Sequence, residues 1–180
     1  MVITSSTPRS VARYTGEIGR NNASLTVREN EDRVTIRGDV GIVHLDLQQR
    51  PGPGYDSILG FLQSSGCNWP VSIYSAPSSP CDPDIRHIGG DVAGQPIDIV
   101  HQNDHFEGTI GASSICADLA EGDEGQELTG TVTVPGYGCY ELHLAGSGES
   151  VPLEGLLPAL SLVLDQQPEA APPDRKSPAP

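Results

Sequence analysis

The chain has 180 residues and a formal net charge of −14, with 24 carboxylates against ten lysines and arginines. This length is enough for one domain with a hydrophobic core, and the acidic surplus disfavours nucleic acid as a partner, because binding a phosphate backbone depends on cationic contacts. No apolar run approaches the roughly 20 residues that a membrane helix needs, so no membrane partner is expected.

The charge is unevenly spread along the chain. Residues 1–50 hold seven arginines against six carboxylates, whereas residues 51–180 hold three cations against the other 18 carboxylates. The arginine-bearing first part is expected to be plain solvated surface, and the alternative is that it faces an acidic partner or the acidic part of a second copy.

Residues 1–12 are interpreted as a flexible lead-in, and a repeated pattern begins after them. Each copy has an apolar residue, any residue, a glycine, any residue and an apolar residue, followed by a turn and an alternating return strand. Apolar residues at every second position are typical of β-strands, whose successive side chains leave opposite faces. The glycines at the centres of the copies are Gly16, Gly38, Gly90, Gly108, Gly130 and Gly155.

Six such hairpins predict an all-β domain over residues 13–164, with about twelve short strands in an antiparallel up-and-down order, because strands joined by tight turns usually pair. The central glycines face the core and mark bends or close backbone approaches. We favour a closed or nearly closed barrel, since closure removes unpaired strand edges. A two-sheet β-sandwich is the alternative.

An insertion over residues 51–84 interrupts the repeat. Residues 56–63 have a capping residue, Asp56, and then Ile58, Phe61 and Leu62 on one helical face, which predicts a short amphipathic helix. The insertion is interpreted either as a plug across one barrel end or as a lid or partner-binding loop.

The insertion also supplies the candidate ligand- or partner-binding residues, which are Phe61, Leu62, Trp69 and Tyr74. Beyond the last hairpin, residues 165–180 are proline-rich and polar, and they are expected to be a disordered tail or a linker.

The four cysteines lead to two predictions. Cys67 and Cys81 bracket most of the insertion, and a disulfide between them would close its loop if the protein matures in an oxidising compartment. Cys116 and Cys139 are not expected to form a disulfide, because another strand should lie between the two strands that carry them. Two strand spacings, about 9.5 Å, exceed the reach of a disulfide.

A metal site is considered at the turn formed by residues 101–105. His101 and His105 flank this turn, and Asp104 would be a third ligand if the two imidazoles meet across it. The alternative is that they are ordinary exposed turn residues. No other cofactor is indicated.

Motifs of nucleophilic hydrolases, nucleotide-binding loops, zinc proteases and dinucleotide-binding domains are missing from the sequence. The leading hypothesis is a non-catalytic β-module that acts by surface binding or assembly, with a protein partner or a second copy. The alternatives are a barrel that binds a small apolar molecule beneath the insertion, and a metal-dependent enzyme. The N-terminus lacks a basic and then apolar signal region, so a soluble cytoplasmic protein is expected, or an exported one if the cysteines are bridged.

Overall fold

The computed structural model describes residues 10–148, which form twelve antiparallel β-strands and no helix within that range. In chain order the strands are β1 Ser10–Ile18, β2 Asn21–Glu29, β3 Val34–Val40, β4 Val43–Pro51, β5 Asp56–Ser64, β6 Cys67–Ser79, β7 Asp82–Val92, β8 Gln95–Gln102, β9 His105–Ile110, β10 Ser113–Glu121, β11 Gln126–Val134 and β12 Gly138–Gly148.

The strands form one closed barrel. Each strand pairs with the next along the chain, and β1 also pairs with β12, from Ala12 opposite Gly148 to Ile18 opposite Leu142. The prediction of a closed antiparallel meander of twelve strands is therefore confirmed, and the sandwich alternative is not formed. Closure leaves no strand of the described sheet with an unpaired edge.

Apolar side chains fill the barrel interior. Alternate residues of each strand point inward, which reproduces the period-two pattern of the sequence. Burial of each large aliphatic side chain contributes about 1.5–3 kcal/mol. The largest fully buried side chains are those of Tyr14, Phe106, Ile18, Leu25, Ile36, Leu45, Leu47, Ile58, Leu62, Ile88, Ile99 and Leu128.

One inward glycine lies near the middle of every odd-numbered strand. A Cβ added at any of them would come closer than 3.0 Å to a backbone carbonyl oxygen of the preceding strand around the ring. No residue with a side chain fits such a close approach of two backbones without displacing one of them. These six glycines are Gly16, Gly38, Gly60, Gly90, Gly108 and Gly130.

The helix predicted over residues 56–63 is wrong, because residues 56–64 form strand β5. Ile58, Gly60 and Leu62 match the glycine-centred pattern, and the side chains of Ile58 and Leu62 are buried in the core. Phe61, expected on the same face as Ile58, points outward and is 52% exposed. The predicted plug or lid is also wrong, because β5 and β6 are part of the barrel wall.

Strand β1 begins at Ser10, inside the predicted lead-in over residues 1–12. The predicted hairpin around Gly155 and the predicted tail over residues 165–180 lie outside the described residues. Within residues 10–148 there is no helix long and apolar enough to cross a membrane.

Candidate functional site

The four candidate binding residues of the predicted insertion lie on two faces of the wall. Leu62 is 2% exposed inside the barrel, and Trp69, opposite it on β6, packs against the core. Phe61 and Tyr74 point outward and are 52% and 43% exposed. Of these four candidates, Phe61 and Tyr74 are therefore the two whose side chains are exposed to a partner on the outer face.

The predicted metal site at the turn after β8 is not formed. The His101 ring lies parallel to the ring of inward-facing Phe106, with centroids 4.0 Å apart. The His105 ring points outward, with Nδ1 2.6 Å from an Asp118 carboxylate oxygen. Because the two imidazoles lie on opposite sides of the wall, they do not converge with Asp104 on one ion. Residues 10–148 contain no group of three metal-ligating side chains.

The predicted disulfide between Cys67 and Cys81 is also wrong. Cys67 begins β6, and Cys81 follows the end of this 13-residue strand, so the two thiols lie at opposite ends of the barrel, roughly 40 Å apart at a rise of about 3.3 Å per residue. Cys116 and Cys139 are separated by β11, as predicted. All four cysteines are free and exposed.

The strongest candidate for a binding surface is a groove of about 450 Å³ on the outer side of β2, β3 and β4, above Gly38. We call it the arginine groove. Its lining includes Thr26, Arg28, Arg33, Thr35, Arg37 and Gln48.

The hairpin register brings the arginines together. Arg28 lies opposite Thr35 on the neighbouring strand, and Thr26 lies opposite Arg37, so the two guanidiniums project from the same outer face at diagonal positions. Diagonal neighbours on paired strands are about 7–8 Å apart. Arg33 joins them from the turn between β2 and β3.

The three arginines differ in their charge partners. Arg37 Nε donates a 3.0 Å hydrogen bond to Asp46, and Arg33 Nε lies 3.4 Å from a carboxylate oxygen of Asp32. Within residues 10–148 the Arg28 guanidinium has no carboxylate within ion-pair distance. The groove thus holds cationic charge that the described part of the chain does not fully neutralise.

A second groove of about 380 Å³ adjoins the first on the outer side of β4 and β5, above Gly60. Gln48 lines both grooves, and Leu59 and Phe61, each 52% exposed, give the second groove an apolar wall. We call it the apolar groove. Tyr74 continues this apolar surface from β6, where it lies opposite Ser57.

The opposite side of the barrel is acidic. Residues 87–148 contain ten carboxylates and no lysine or arginine. Three histidines of this side lie within hydrogen-bond distance of a carboxylate on a neighbouring strand, as His87 does of Asp98 at 2.7 Å. We call this surface the acidic face. Its outward carboxylates on β8 to β12 are Asp98, Glu107, Asp118, Glu127 and Glu141.

A polar cluster at one barrel end has a structural role, because its hydrogen bonds hold neighbouring strands together. Arg86 donates to Asp56 Oδ2 at 3.1 Å, to Ser75 Oγ at 2.9 Å and to the Ser75 carbonyl at 2.9 Å. These bonds connect β5, β6 and β7 and satisfy polar groups that are largely removed from water.

The uneven charge of the sequence was the signal for the arginine groove, but charge alone did not show which arginines converge. The apolar groove was missed because Leu59 and Phe61 were assigned to a helix. A comparison with protein-family models, with curated proteins and with solved structures finds no match to this chain.

Proposed function

We propose that this barrel is a non-catalytic protein-binding module whose arginine groove takes the carboxylates of an acidic partner. The observation that carries this proposal is the convergence of Arg28, Arg33 and Arg37 on one groove of a chain with a net charge of −14. Charge-assisted bonds from a guanidinium to a carboxylate are among the stronger and more geometrically specific contacts of protein surfaces.

The surroundings of the groove favour an acidic protein segment over a nucleic acid. Asp32 and Asp46 lie beside the arginines, so a strand of continuous phosphates would be repelled along part of its path. The side chains of a flexible acidic peptide can turn toward the arginines and away from these two carboxylates. The adjoining apolar groove offers Phe61 and Leu59 to an apolar side chain next to those carboxylates, and arginine and aromatic residues are common at interface hot spots.

The packing of the barrel interior argues against a binding site inside the barrel. Leu45, Leu47 and Ile99 are fully buried among the side chains that fill the interior, and the segment considered as a lid forms two strands of the wall. A small apolar ligand would have to displace packed side chains. The outer surface is therefore the better candidate.

The proposal is tested with a fluorescein-labelled poly-glutamate peptide and fluorescence anisotropy. The variant Arg28→Gln/Arg33→Gln/Arg37→Gln should bind roughly tenfold more weakly than the natural chain, since exposed ion pairs each contribute up to about 1 kcal/mol. Added salt should weaken the binding of the natural chain.

A matched control changes the net charge equally at a different groove. Thr109, Thr131 and Thr133 line a groove above Gly108 on the acidic side, and replacing all three by glutamate also lowers the charge by three. This control should keep most of the binding. If both variants lose peptide binding equally, the binding depends on net charge and not on the arginine groove, which contradicts the proposal. Absence of peptide binding by the natural chain would also refute it. Binding of a DNA duplex in preference to the peptide would also contradict it.

A further inference from the structure

Building on the proposed function, we infer that the acidic partner is a second copy of this chain, and that the arginine groove of one copy binds the acidic face of the next. The two surfaces lie on opposite sides of one barrel. In a closed ring of twelve strands, β3 and β9 are six strands apart in either direction. β3 carries Arg37 and β9 carries Glu107.

The repeat places these two sites at equivalent positions of the barrel and gives them opposite charge. Arg37 directly precedes Gly38, and Glu107 directly precedes Gly108, so both side chains project outward beside a central glycine. A groove lies above each of these glycines. The position directly before the central glycine is therefore arginine in one groove and glutamate in the other.

The spacing of the charges also corresponds. Arg28 and Arg37 are diagonal neighbours on β2 and β3, and Asp98 and Glu107 are diagonal neighbours on β8 and β9, because Asp98 lies opposite Thr109. Both pairs are therefore about 7–8 Å apart. Asp98 and Glu107 side chains are 73% and 76% exposed, which leaves them accessible to a second copy.

Two surfaces on opposite sides of one molecule give a head-to-tail contact. Such a contact does not use the same patch on both copies, and it adds subunits without limit unless the rotation between copies closes a ring. The repulsion between two chains of charge −14 is screened beyond about 8 Å at physiological salt, whereas the facing charges meet at closer range.

Sedimentation velocity of three full-length proteins tests the inference. The first is the natural chain, the second is Arg28→Gln/Arg33→Gln/Arg37→Gln, and the third is Asp98→Asn/Glu107→Gln/Asp118→Asn. The natural chain should form a concentration-dependent series of multiples of 18.9 kDa. Each variant alone should remain a monomer, and an equimolar mixture of the two should stop at a heterodimer, because each variant keeps one intact surface.

Several outcomes overturn the inference. These are a natural chain that stays monomeric at all concentrations, a variant that associates as the natural chain does, and a variant mixture that forms no heterodimer. If the natural chain is monomeric but binds poly-glutamate through the arginine groove, the proposed function stands, and the inference that the partner is a second copy is wrong. If it neither associates nor binds the peptide, both fail.

Discussion

The Tyr14 hydroxyl donates a 3.0 Å hydrogen bond to Gln126 Oε1 across the seam where the barrel closes. Tyr14 lies on the first strand, Gln126 lies on the eleventh, and Gly146 of the twelfth strand lies between them. A Cβ at Gly146 would be 2.6 Å from the Tyr14 ring, so this glycine makes room for the ring to cross the seam. The contact therefore connects the two ends of the barrel wall.

Replacement of Tyr14 by phenylalanine should destabilise the barrel by about 1–2 kcal/mol, because the Gln126 amide loses its partner in a partly buried position. Urea unfolding followed by circular dichroism measures the change. Tyr137→Phe is the matched control, since that side chain is 66% exposed, and it should have little effect. Equal stability of the two variants would show that the seam contact contributes nothing.

Stability should fall in alkaline solution because of the same phenol. Burial, with a smaller contribution from the charge of Glu121, raises the pKa of Tyr14 from 10.0 to about 12. Between these values the unfolded chain releases the proton while the folded chain keeps it, so rising pH favours unfolding. The loss should approach about 3 kcal/mol for two pKa units and should be absent below the lower value.

Urea unfolding from about pH 9 to about pH 12 measures this loss, with Tyr14→Phe as the reference that lacks the phenol. The natural chain should lose more stability than the variant over this range. Parallel pH profiles of the two proteins would contradict the assignment of the effect to Tyr14.

Gly60→Ala should destabilise the barrel by roughly 1–3 kcal/mol or more, because its Cβ would meet the Asp46 carbonyl and the Leu47 Cα on the neighbouring strand. Thermal unfolding measures the change. Gly94→Asn is the control, because that turn glycine has open space around it and asparagine tolerates its positive φ. If Gly60→Ala is no less stable than Gly94→Asn, the close approach of β4 and β5 is not as described.

All four thiols of the natively folded, reduced protein should react with a thiol reagent, because all four cysteines are free and exposed. Alkylation followed by mass spectrometry counts them. On mild oxidation, intact protein should show no intramolecular bridge between Cys67 and Cys81, since β6 holds them far apart. A peptide map containing that bridge in folded monomer would contradict the strand assignment of residues 67–79.

The period-two pattern and the central glycines were sufficient to predict a closed meander of twelve strands. They were not sufficient to assign every strand. Ile58, Phe61 and Leu62 satisfy a helical spacing, while Ile58, Gly60 and Leu62 satisfy the strand pattern, and a short apolar run does not distinguish the two. The expected number was nevertheless twelve. It omitted the hairpin of β5 and β6 and included the hairpin around Gly155, which lies outside the described residues.

Side-chain direction near turns was the other source of error. His101 and His105 are four residues apart, but the two-residue turn between their strands places His105 opposite Gln102, so the imidazoles leave opposite faces. The same dependence on register concealed the arginine groove. The approach of Arg28 to Arg37 follows from the pairing of β2 with β3, whereas the sequence showed only that arginines were frequent there.

The most direct test of the role of the arginine groove is a titration of isotope-labelled protein with the poly-glutamate peptide, followed by amide chemical shifts in two-dimensional NMR spectra. We predict that the largest shifts map to residues around Arg28, Arg33 and Arg37, and that Arg28→Gln/Arg33→Gln/Arg37→Gln abolishes them. Shifts centred elsewhere on the barrel, or shifts that survive in this variant, would contradict the account.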